Sequence, residues 1–130
     1  MRRLGQILIA LGALLAFGSA FMHGSMARRA VLGRLEGTVA PETLEGLNAA
    51  WMLGTASMVA FGVMALLGMR SLGRESGAVR VPLLAGLFFL AYGIWAFVYR
   101  DFHAHFIGFM GVGVLFIAGA IAGSRGRERS

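Results

Sequence analysis

The chain has 130 residues, 58% of them hydrophobic and only 14% charged, with a mean hydropathy of +0.75. One soluble domain of that length has no interior large enough for so much apolar surface, so the composition indicates a membrane protein. There is no cysteine, which excludes disulfides, thiolate metal sites and cysteine nucleophiles.

The net charge of +6 comes from twelve basic residues, all of them arginine. They flank apolar runs, where basic charge sets topology and meets anionic headgroups. The bilayer, not nucleic acid, is therefore the expected partner.

Four apolar runs, 4–22, 47–69, 81–99 and 104–122, contain no Asp, Glu, Lys or Arg. At 1.5 Å per residue each spans roughly 28 Å or more, the thickness of a hydrocarbon core. Backbone in hydrocarbon must bond to itself, and the alternating pattern of a barrel is absent, so each run predicts a helix. The expected fold is all-α, a four-helix transmembrane bundle of up-and-down topology forming one domain over 1–130.

Run 4–22 follows Arg2 and Arg3 and contains FGSA at 17–20, features shared with a cleavable signal peptide. Its continuation through Phe21 and Met22 favours a retained span. The first loop then carries MARRAVLGRL (26–35), where Met26, Val31, Leu32 and Leu35 mix with three arginines. This segment reads either as a short amphipathic helix on the headgroups or as an irregular loop. APETLEGLN (40–48) predicts a helix start, with Pro41 suited to the first helical position and Glu42 and Glu45 to its positive end. The second span is thus expected to begin outside the bilayer.

The connections at 70–80 and 100–103 are short and predict antiparallel neighbours. Asp101 is the expected N-cap of the fourth span. An even number of spans puts both termini on one side. That side carries eight arginines and the other four, so the positive-inside rule places both termini in the cytoplasm.

Twenty glycines are too many for a soluble helical protein but suit close helix packing in a membrane. Gly5, Gly12 and Ser19 recur every seven residues, as do Gly86 and Gly93, and Ala104, Gly111 and Ala118; Gly119 and Gly123 follow. These stripes predict packing within the bundle, or contacts with another membrane protein or a second copy of the chain.

Polar and aromatic residues gather at one end. His23 closes the first span, Asn48, Trp51 and Thr55 open the second, and Tyr92, Trp95 and Tyr99 close the third. Asp101, His103 and His105 open the fourth. All three histidines and both tryptophans thus lie at one membrane face, and the first and fourth spans are expected neighbours. The candidate pocket comprises His23, Asn48, Trp51, Tyr92, Trp95, Asp101 and His105. The plainer reading is an interfacial aromatic belt beside a helix cap.

His103 and His105 stand about 200° apart on a helix and cannot chelate one ion there, whereas Asp101 and His105 would share a face. A three-histidine metal site from His23, His103 and His105 is chemically reasonable, but its spacing is not diagnostic. No metal or other cofactor is expected. No HExxH, phosphate-binding glycine loop or G-x-S-x-G elbow is present. The spans hold no carboxylate, which counts against proton-coupled transport.

In length, span pattern and the outer placement of His and Trp the chain resembles small bacterial four-span proteins, including those described as DoxX-like. The resemblance implies a bacterial inner-membrane location and carries over no functional residue. The first functional expectation is a non-enzymatic accessory or packing subunit. The alternatives are an outer-leaflet binder of a lipid-like or quinone-like molecule, and a membrane enzyme or metal protein using His23, His103 and His105.

Overall fold

The computed structural model describes residues 1–72, 77–102 and 104–125. Four helices account for most of them: α1 (Arg2–Leu35), α2 (Pro41–Ser71), α3 (Arg80–Tyr99) and α4 (Ala104–Arg125). All four are long and apolar enough to cross a membrane, and they form the expected all-α bundle. No strand occurs among the described residues.

Lipid and core are both apolar, so hydrophobicity alone cannot tell a helix which face to turn inward. Side-chain size does so instead. On α1 the inward stripe is Gly5, Ile9, Gly12, Ala13, Ala16 and Ala20, while Leu4, Ile7, Leu11, Leu14 and Leu15 face outward. On α4 the inward line is Val112, Gly113, Phe116, Gly119, Ala120 and Gly123. Phe89 and Phe116 fill the centre, their rings 6.0 Å apart edge to face.

The glycines let backbones nearly touch. A Cβ on Gly5 would stand 2.6 Å from the Gly119 carbonyl oxygen, and one on Gly113 would stand 2.6 Å from the Leu90 nitrogen. Gly86 and Gly93 meet α4 in the same manner. The stripe expected at Ala104, Gly111 and Ala118 is different. A Cβ on Gly111 would meet nothing within 4 Å, so that repeat faces away from the core. A seven-residue repeat fixes a stripe's spacing, not which stripe looks inward.

α1 packs on α2 and α4, and α3 closes the ring between α4 and α2, with α2 and α3 in the slightest contact. Gly5 beside Gly119 and Gly123 places the start of α1 and the end of α4 at the same end. Leu72, fully buried, seals that end against Gly123.

At the opposite end α1 does not stop at Met22. It passes through a π turn, His23–Ala27, into a further helical stretch, Arg28–Leu35. Of the two readings of 26–35, helix or irregular loop, the segment takes the helical one, as a prolongation of α1. The chain then reverses through Gly37 at φ 77°, with the Thr38 hydroxyl donating to the Leu35 carbonyl at 2.8 Å. α2 begins at Pro41 as expected, after an extended Ala40. With 34 and 31 residues against 20 and 22, α1 and α2 overreach α3 and α4 by roughly 15 Å at 1.5 Å per residue.

Asp101 is not the N-cap of α4. It has φ 49° and Phe102 φ 61°, left-handed values that an aspartate tolerates better than most residues. The Phe102 amide donates to the Phe97 carbonyl at 2.8 Å and the Phe97 and Phe102 rings meet edge to face at 5.3 Å. This is a Schellman closure with its usual apolar contact, so Asp101 ends α3. α4 starts afterwards, as a 3-10 turn over Ala104–Phe106. Because the helix opens at Ala104, the face expected to be shared by Asp101 and His105 does not form.

Candidate functional site

The site is organised by the π turn. There the Arg28 amide donates to the His23 carbonyl, five residues back, instead of to Gly24. The Arg28 side chain supplies Gly24 instead, Nε to carbonyl at 3.0 Å, and its other arm reaches Asn48 Oδ1 at 2.8 Å. Gly24 is required at this crossing, since a Cβ would stand 2.7 Å from Thr55 Cγ2. Ser25 bonds back to the Phe21 carbonyl.

Trp51 of α2 fixes His23. The indole N–H donates to the His23 carbonyl at 2.8 Å, and the two rings stack 4.6 Å apart at 18°. The imidazole extends over Gly54, whose missing side chain leaves it room; Nε2 lies 3.8 Å from where a Cβ would be. His23 and Trp51 are thus turned into the molecule, not outward.

They line a cavity of about 660 Å³ between the α1–α2 hairpin and the ends of α3 and α4. Tyr92, Trp95 and Tyr99 form its α3 wall, and His105, Phe106 and Phe109 close it from α4. Trp95 and Tyr99 stack at 5.2 Å and 12°, and Phe109 meets Tyr92 and His105 edge to face at 5.3 and 5.8 Å. Tyr99 is 70% exposed and Trp95 59%, so the cavity opens sideways along α3. His105 lies within electrostatic reach of His23. The expected meeting of the first and fourth spans therefore occurs.

A second space of about 310 Å³ adjoins it along α2 and α3, sharing His23, Ala50, Gly54, Tyr92 and Phe109. Its remaining walls are Leu53, Ser57, Met58, Phe88 and Phe89. The composite is mainly apolar, with a few polar groups among its walls, the usual form of a small-molecule site.

Of the seven candidate residues, His23, Trp51, Tyr92, Trp95 and His105 share this cavity. Asn48 does not: its side chain holds Arg28, and it borders a separate cleft with Arg29, Glu36 and Glu45. Asp101 is absent from the lining because it serves the turn after α3. His103 lies outside the described residues. Sequence reasoning missed Gly54, Arg100, Phe106 and Phe109. The spacing Ala50–Gly54–Met58 on α2, one turn at a time, was the available signal for the first.

Among the described residues no three His, Asp or Glu side chains converge as metal ligands. What the arrangement offers is hydrogen-bond donors at the mouth, flat aromatic surfaces beside them and an apolar channel behind. No family model matches the chain, and neither does any curated protein or solved structure.

Proposed function

We propose that this protein, whose four apolar helices fit a small polytopic membrane protein, binds a lipid-like or quinone-like small molecule in the lateral cavity. The observation that carries the reading is the inward-turned pair His23 and Trp51. They come from different helices and lock onto each other in the wall of a mainly apolar cavity. An interfacial belt would turn such residues toward lipid headgroups. Arginine bias supports a bacterial inner-membrane setting with both termini cytoplasmic, which puts the cavity in the outer leaflet. The DoxX-like resemblance agrees with that setting.

Native mass spectrometry of protein purified in mild detergent tests the reading. We expect one amphiphile-sized adduct per chain, lost when Trp51 and Tyr92 are both changed to alanine. An adduct that persists in that variant, or a chain that never carries one, would count against the proposal.

The accessory-subunit reading rests on glycine faces. Gly5, Gly12, Gly86, Gly93, Gly113 and Gly119 serve the chain's own bundle. Gly18, Gly108 and Gly111, open outward, are the positions a docking partner would use.

A further inference from the structure

We infer that the cavity takes an amphiphile whose head is anionic, a carboxylate or phosphate on an apolar chain; the inference rests on the binding role above. Charge complementarity carries it. The arginine Arg100 and two hydrogen-bonding imidazoles, His23 and His105, border the space, and no carboxylate stands among its described lining residues. Glu36 and Glu45 border the other cleft, beside Arg28 and Arg29. Asp101 follows Arg100 in the chain but does not border the space.

A guanidinium matches a carboxylate or phosphate with two parallel N–H donors. An imidazole keeps at least one N–H donor in either protonation state, so both histidines suit acceptor oxygens. In the adjoining space the further walls are Leu53, Met58, Phe88 and Phe89 with one uncharged polar residue, Ser57, where a chain but no second charge is at home. From Leu47 to Met58 the lining follows α2 for roughly 16 Å at 1.5 Å per residue, enough for a chain lying along the helix. The sideways opening by Trp95 gives such a molecule a route from the bilayer. A neutral ring such as a quinone would use the aromatic walls but make no charged contact with Arg100.

The chain's two tryptophans, Trp51 and Trp95, both line the cavity, so intrinsic fluorescence reports its occupancy. The purified protein in a neutral maltoside detergent would be titrated with dibrominated stearic acid, a dibrominated alkyl phosphate, the methyl ester of the acid, and decylubiquinone. We expect saturable one-to-one quenching by one or both anions and at least tenfold weaker binding of the ester and the quinone. Arg100→Gln should weaken the anions about tenfold, as expected for loss of one charged hydrogen bond, and leave the ester unchanged. Ester or quinone binding as tight as the anions would overturn the anionic head while leaving the binding role standing. No saturable quenching by any of the four would overturn the binding role itself.

Discussion

The indole of Trp51 holds His23 twice, by an N–H donated to the backbone carbonyl at 2.8 Å and by a ring stack at 4.6 Å. One side chain thereby fixes both the main chain of the π turn and the direction of the imidazole. The site is preorganised by this contact between helices, together with the Arg28–Asn48 hydrogen bond.

Trp51→Phe should keep the stack and lose the hydrogen bond. The His23 carbonyl retains the Arg28 amide, so the expected loss of stability is only about 1 kcal/mol. Trp51→Ala removes the ring as well and should cost about 3 kcal/mol. Thermal unfolding followed by circular dichroism in detergent ranks the two. Equal losses would mean that the stack contributes nothing.

Gly113→Ala and Gly111→Ala separate the two faces of α4. At Gly113 the new methyl would press on the Leu90 backbone nitrogen, and the helices must part. The expected loss is about 1–3 kcal/mol. At Gly111 the methyl enters open space, and alanine's better helix propensity should leave stability unchanged or raise it by up to about 1 kcal/mol. Should the two variants melt together, the packing of α3 on α4 is not the one described.

Asp101 distinguishes a left-handed helix end from an N-cap. Threonine is a good N-cap but a poor left-handed residue, because its branched Cβ crowds the carbonyl. Asp101→Thr should therefore destabilise by about 1–2 kcal/mol, and Asp101→Gly should be neutral or stabilising. Unfolding midpoints of the pair decide; a harmless threonine would restore the cap assignment.

Gly54 stands where the two spaces join, and its Cβ direction points toward the His23 ring at 3.8 Å. Gly54→Leu should block the channel. Binding of long-chain amphiphiles should fall at least tenfold, while short-chain ones that occupy only the mouth should bind nearly as before. Fluorescence titration with two chain lengths measures the ratio. An equal loss for both lengths would show that the chain does not pass this point.

The sequence made the four helices legible because uncharged runs of about 19 residues have few alternatives in hydrocarbon. It also made legible the clustering of His23, Trp51, Tyr92, Trp95 and His105, since an up-and-down bundle brings the same ends of its helices together. Helix phase was harder to read. Gly111 and Gly113 look alike in composition, and only packing tells which is inside. Polarity points Asn48 to the cavity, and helical spacing to His105 points Asp101 there, whereas Asn48 holds Arg28 and Asp101 takes the left-handed position after α3. The π turn left no clear trace, because HGSMA has no residue that forbids an ordinary α turn.

That turn has a consequence for everything beyond it. A π turn holds more residues than an α turn does, and every residue after it is rotated accordingly about the helix axis. The hairpin's arginines and apolar residues therefore owe their bearings to one surplus residue at 23–27. Closing the same five residues as an α turn, with none removed, would swing Arg28–Leu35 by about 100°. Arg28 would leave Asn48, Val31 would leave the cavity wall, and the helix would remain intact. In this protein the rotational setting of the overhanging segment is written in how one backbone turn closes, at the Arg28 amide and the His23 carbonyl.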